Sequence, residues 1–223
     1  MKKFNLIDHL AGLLVVILGI TIAFYLEGWR EEKERRTQEV KYIESIISDL
    51  NADIEALDTL INVNGYITRS LVTLSNASIN MPYSKDTTLR FHVLFIQYNP
   101  PFTPQNTIYE SLKASGKMDL IDDFELQNEV IELYERTYLG AKQYDETLSE
   151  HVRDYIKPFF MENILYISPQ EISDKFLDKN EFKNMIFAYR FLFTQKNDFY
   201  RRTLEDVEKV KVLLEERLAL LGG

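Results

Sequence analysis

The sequence predicts an all-α chain in which an N-terminal transmembrane helix continues into an elongated antiparallel helical bundle. Three observations carry that expectation. Residues 10–26 run without a charge, residues 29–63 and 181–221 contain neither Pro nor Gly, and the whole chain of 223 residues holds only 8 Gly and 6 Pro. Few breaks leave long helices. The hydrophobic fraction of 45% and charged fraction of 27% are those of a globular protein, so two parts are expected: a tail and anchor over residues 1–26, and a soluble helical bundle over residues 27–223.

At 1.5 Å per residue the uncharged run spans about 25 Å, and including Ile7 about 30 Å, enough to cross a bilayer. Asp8 and His9 fall where polar groups reach one interface, and Tyr25 and Trp29 supply amphipathic rings at the other. Two lysines before an apolar run also fit a secretory signal, with Thr21 and Ala23 as a weak cleavage site. The apolar run continues past that site, so a retained anchor in the lipid bilayer is expected. Gly12, Gly19 and Ala23 lie near one face of the span, and Gly19-Ile-Thr-Ile-Ala23 is a small-xxx-small pattern that lets two helices approach closely. Gly and Ala are common in such helices, and chance spacing is the competing account.

Beyond Trp29 the strong helix formers Glu, Lys, Arg, Leu and Ile dominate, so the membrane helix is expected to continue straight outward. Val40, Ile43, Ile47, Leu50, Ile54, Leu57 and Ile61 follow a 3-4-3-4 spacing. In an isolated helix that pattern favours a parallel dimer. Ile46 and Leu60 widen the stripe, however, and a broad apolar face more often packs inside its own bundle. Counting back by sevens from Val40 reaches Lys33, Leu26, Gly19 and Gly12, so the small residues share the phase of the stripe, and homo-oligomerisation through this helix is expected. Lys33 and Arg36 interrupt the seam just outside the membrane.

Asn64-Gly65 predicts a reversal, with Ile67, Leu71 and Leu74 on a short returning helix and a loop over residues 76–86. Residues 88–97 read as a helix ended by Asn99-Pro100-Pro101. Thr103-Pro104 fits a cap and first helical residue, for a segment that Gly116 closes. A long helix is expected over residues 123–157, ending before Pro158, then a short one starting at Ser168-Pro169, then a helix about 60 Å long over residues 181–221.

Function classes are narrowed mostly by exclusion. Without cysteine there is no disulfide, thiolate metal site or cysteine nucleophile. Removing Lys2, Lys3 and Asp8 leaves 24 basic against 34 acidic side chains, net −10, a surface that repels phosphate backbones and argues against nucleic acid. His92 and His151 lack the Glu three residues earlier that a di-iron bundle needs, so no metal is expected. Asp119, Asp122, Asp123 and Glu125 lack EF-hand spacing and read as helix capping. Ser115-Gly116-Lys117 lacks the upstream Gly and strand of a phosphate loop. No catalytic residue and no cofactor is therefore expected. The 13 Tyr and 14 Phe read mainly as core, with a minority left for a small-molecule pocket between helices.

Leu26-Glu-Gly-Trp-Arg-Glu-Glu32, the later segment Ile108-Tyr-Glu-Ser-Leu-Lys-Ala-Ser-Gly-Lys-Met-Asp-Leu-Ile121 and a following helix containing Tyr134 resemble a family of short single-pass helical membrane proteins of Gram-negative bacteria, a domain of unknown function. Gly28 and Arg30 stand where that family tends to have Asn, and the N-terminal tail is very short. The resemblance implies an inner-membrane protein with its helical domain in the periplasm, and it supplies no activity. The expected role is a non-enzymatic interaction or scaffold module, a subunit or accessory of an envelope complex, with an extracytoplasmic ligand-sensing helical domain that signals through a partner as the alternative.

Overall fold

The computed structural model describes residues 6–79, 89–164 and 174–222, and every regular element among them is helical. Helix α1 (Leu6–Ile79) is followed by α2 (Leu89–Phe95), α3 (Thr107–Ala114), a 3-10 turn (Met118–Leu120), α4 (Phe124–Glu132), α5 (Tyr138–His151), α6 (Lys157–Asn163), a second 3-10 turn (Asp174–Asp178) and α7 (Asn180–Gly222). At 1.5 Å per residue α1 is about 110 Å long and α7 about 65 Å. The two run antiparallel: Arg217 Nε donates to Glu39 Oε1 at 2.9 Å, and one turn nearer the apolar span Arg36 donates to the Leu220 carbonyl at 3.3 Å.

All described side chains from residue 12 to residue 34 are exposed, including Leu13, Val15, Ile17, Phe24 and Trp29. None of this part of α1 is buried among the described residues, and it is long and apolar enough to cross a membrane. The fold begins above it, at Glu39. From there the face of α1 turned into the bundle is Glu39, Ile43, Ile46, Leu50, Asp53, Leu57, Leu60, Asn64, Ile67, Leu71, Leu74 and Ser78, alternating steps of four and three. That heptad spacing is what α1 and α7 need to stay in register side by side.

The reversal expected at Asn64-Gly65 does not occur. α1 runs through both residues, and Ile67, Leu71 and Leu74 are its last buried turns, not a returning helix. A helical Gly costs about 1 kcal/mol relative to Ala, whereas each of those three side chains, fully buried, contributes about 1.5–3 kcal/mol. Burial outweighs the local preference. The expected loop gives way to helix up to Ile79, and its remainder, like the helix start at Ser168-Pro169, lies outside the described residues.

Helices α4, α5 and α6 are one continuous rod, because the residues joining them keep right-handed helical angles through two π turns, Leu133–Thr137 and Val152–Ile156. The rod does not stop before Pro158 as expected, but runs on to Asn163. A proline removes one N–H and crowds the carbonyl four residues earlier. Widening the turn just before it relieves that crowding. The helix expected to start at Thr103-Pro104 starts instead at Thr107, behind Asn106, and Gly116, at φ 66°, ends it as expected. Asp123 caps α4 by accepting from the Glu125 and Leu126 N–H groups, both at 3.0 Å.

The core falls into two apolar clusters. The one nearer the span gathers Ile43, Ile46, Leu50 and Leu57 with Val130, Leu133 and the end of α7, Val207 to Leu214. The far one gathers Ile67, Leu71 and Leu74 with Phe160, Phe176, Phe182 and Phe193. On each long helix a polar residue separates the two: Asn64 on α1, Asp145 on α5 and Lys196 on α7, all buried.

Candidate functional site

Residues 99–106 form the connection between α2 and α3, and they are tied down at this polar layer. Asp145 Oδ2 accepts the Phe102 N–H at 2.9 Å. Tyr200 donates its hydroxyl to Asp145 at 2.6 Å and itself accepts from the Phe102 N–H at 2.9 Å. Lys196 Nζ lies 2.8 Å from Asp145 Oδ1 and donates to Asn99 Oδ1 at 2.8 Å and to the Pro100 carbonyl at 3.0 Å. All three donor positions of the ammonium are used, which is what permits a lysine with no exposed surface. Burial pulls its pKa down, and Asp145 pulls it back up.

The other end of the segment is held by α1. Asp53, 1% exposed, accepts the Gln105 N–H at 2.8 Å and the Tyr138 hydroxyl at 2.6 Å. Burial pushes its carboxyl up to about 6, with a smaller push from Asp49, while the hydrogen bonds from Tyr138 and Gln105 pull the other way. These anchors explain why Thr103-Pro104 does not open a helix: the backbone donors around it are spent on carboxylates from other helices.

The middle of the segment carries Phe102, whose ring packs edge-on against Tyr138 and Tyr200, with centroids 5.5 and 6.1 Å away. Beside it opens a cleft of about 670 Å³, walled by Pro101, Phe102, Tyr134, Tyr138 and Leu139, with Glu110, Lys142 and Ser149 at its polar side. Tyr134 and Glu135 come from the first π turn, a local widening that recurs at functional sites. Tyr134 stacks face to face on Tyr109 of α3, with centroids 4.3 Å apart and planes within 2°. The Tyr109 hydroxyl donates to Glu135 Oε1 at 2.8 Å, and Lys113 pairs with the same carboxylate.

The model of a Family of unknown function (DUF6090) matches residues 12–195. The chain belongs to that family. The match takes in the apolar span, Asp53, residues 99–106, the Tyr109–Tyr134 stack and Asp145, and it ends one residue before Lys196. No curated protein and no solved structure matches the chain. Family membership therefore fixes kinship, and the chemistry of the site has to be read from the residues.

The residues singled out from sequence are distributed differently. Gly12, Gly19 and Ala23 are exposed, and a Cβ built on either glycine would meet nothing within 4 Å. Of the 3-4-3-4 stripe, Ile43, Leu50 and Leu57 are wholly buried, whereas Val40, Ile47, Ile54 and Ile61 are half-buried at its edge. That second half of the stripe sits one position from the seam series Glu39, Ile46, Asp53 and Leu60, because the series includes two carboxylates. A charge recurring in heptad phase was the available signal. Asp145 and Lys196, 51 residues apart, carried none. Among the described residues no cluster of three or more His, Asp or Glu gathers to hold a metal. Asp122, one of the acidic group, pairs with Arg35 and reaches Arg217 at 3.9 Å, fastening α4 to both long helices.

Proposed function

We propose that the chain is a membrane-anchored, non-enzymatic interaction or scaffold module, acting as a subunit or accessory of an envelope complex. One observation carries this reading: the helix that holds the exposed apolar span is the same helix that forms the spine of the folded domain, without a joint between them. From residue 26 to residue 79 it would hold the far end of the bundle about 80 Å from the hydrocarbon edge. A rigid mast of that kind serves to position a surface. That surface carries exposed rings away from the core, such as Phe91, Phe187 and Phe191. We take the membrane to be the bacterial inner membrane and the bundle to be periplasmic, following the family resemblance and against the basic count, since Arg30, Lys33, Arg35 and Arg36 on the bundle side outnumber Lys2 and Lys3. The acidic balance beyond the span argues against nucleic acid as the partner.

Affinity purification from membranes solubilised in several mild detergents tests the reading. A partner recovered with the wild-type chain, and lost when Phe187 and Phe191 are replaced by Ser, is expected. Recovery of the isolated chain alone in every detergent would sink it.

The cleft favours a second reading, a ligand-sensing domain that signals through a partner. Its volume of about 670 Å³ and aromatic walls suit a small molecule. A metabolite screen by thermal shift decides, since a ligand at 100 times its Kd adds about 2.7 kcal/mol of stability. No shift with any compound class would retire it.

A further inference from the structure

Two buried carboxylates fix the ends of residues 99–106, and they differ in one respect. Asp145 has the ammonium of Lys196 against it at 2.8 Å. Asp53, equally buried, has no cation among the groups that act on it. The titratable groups facing it are Asp49, one turn earlier on its own helix, and the phenols of Tyr134 and Tyr138 from the rod opposite, while the loop contributes only the uncharged Gln105 N–H. Around Asp53 two further oxygens are buried without a hydrogen-bond partner, Asp49 Oδ2 and the Tyr134 hydroxyl. Tyr134 is 8% exposed, and after burial itself the charges that act on its phenol most strongly are Asp53 and then Asp49.

The cluster thus holds two carboxylates of like charge at adjacent turns, no counter-cation among the described residues, and two buried oxygens left unpaired. One added proton answers all three features. It removes a buried charge, ends the repulsion, and turns a carboxylate oxygen into a donor for a neighbouring acceptor. The Gln105 N–H and Tyr138 O–H favour the charged form, since a carboxylate accepts more strongly than a neutral carboxyl. Burial opposes them and is the larger influence. Above the titration the remaining way to satisfy the charge is water, and release of the Gln105 N–H opens the loop side of Asp53 to it.

We propose that Asp53 and Asp49 form a proton-operated latch on residues 99–106, which clamps the loop to α1 while the pair holds a proton and releases it when both carboxylates are charged. Since Pro104 and Asn106, on either side of Gln105, also line the cleft, the latch sets the shape of that cleft. The sign follows from the raised carboxyl. Between about pH 4 and 6 the folded chain holds a proton that the unfolded chain has lost, so the stabilisation is complete at the acid end and disappears as pH rises through about 6. This inference depends on neither functional reading.

Hydrogen exchange of the full chain in lipid nanodiscs, corrected for the intrinsic pH dependence of amide exchange, reads the latch directly at the Gln105 N–H. From pH 5 to pH 8 the protection of a peptide covering residues 99–106 should fall about tenfold, the equivalent of one pKa unit, with a midpoint near 6. A peptide covering residues 182–193 should not change. In Asp53→Asn, which keeps the shape but cannot ionise, loop protection should be the same at both pH values and above wild type at pH 8. Asp49→Asn, which leaves Asp53 in place, should move the midpoint to lower pH and serves if the first variant does not fold. Protection in the wild type that is flat or rises with pH, a wild-type slope retained in Asp53→Asn, or an unmoved midpoint in Asp49→Asn would overturn the latch.

Discussion

Lys196 sits on α7 in a run of rings, between Phe193 and Tyr200, with its ammonium 5.7 and 5.0 Å from their centroids. Its energetic role is set by what it leaves behind when removed. In Lys196→Met the aliphatic stem is replaced, but Asp145 becomes a buried carboxylate without a cation, and breaking one side of such a pair costs about 3–5 kcal/mol. Lys209, paired with Glu129 at 2.7 Å but 58% exposed, is the control, since an exposed pair contributes about 0–1 kcal/mol. Denaturant titration of both variants should show a large loss for the first and almost none for the second; equal losses would mean that the Asp145 layer is not what holds the loop. A sequence shows a lysine in a helix and an aspartate in another, and nothing marks the two as neighbours. Pairing across helices is set by how the rods dock, which is why this half of the candidate site was illegible. Tyr109 and Tyr134 were within reach because each lies in a segment with its own pattern, although their stacking was not.

At the level of elements, long helices were legible because breakers are scarce, and their ends were misjudged wherever burial competes with a local signal. Asn64-Gly65 and Pro158 are both ordinary stop signals. The first is overridden by three buried aliphatic residues beyond it, the second by a π turn just before it. Thr103-Pro104 failed for another reason, in that its donors belong to a tertiary clamp that no local rule contains. The seam of α1 gives the sharpest test of register. Ile43 and Ile54 are the same residue type on the same helix, with the first wholly buried and the second at the seam's edge. Ile43→Ala should cost about 2–5 kcal/mol, the range for fully buried aliphatic truncations, and Ile54→Ala less than half as much. Thermal or denaturant unfolding of the pair decides; the opposite order would restore the phase centred on Val40, Ile47, Ile54 and Ile61.

At the scale of the whole molecule, the heptad face of α1 is covered by its own chain. Ile43, Leu50 and Leu57 lie in one cluster with Tyr200, Val207 and Leu214 of α7, so a second copy could use that face only if α7 came away. Association of two copies through α1 with the bundle closed would use its exposed part, residues 12–34. There the small residues Gly12, Gly19 and Ala23 permit close approach of two helices in lipid. Gly19 also makes a clean test, because an added side chain would meet no atom of its own chain within 4 Å, and the fold of the monomer should be indifferent to it. Gly19→Leu should therefore lower the cross-linked dimer fraction in native membranes while leaving the melting temperature unchanged. Ile17→Leu, on a different face of the span and of equal bulk to the wild type, should leave both unchanged. Monomer alone in the wild type, or equal dimer in the wild type and Gly19→Leu, would show that α1 anchors the bundle singly and that its spacing of small residues has no partner.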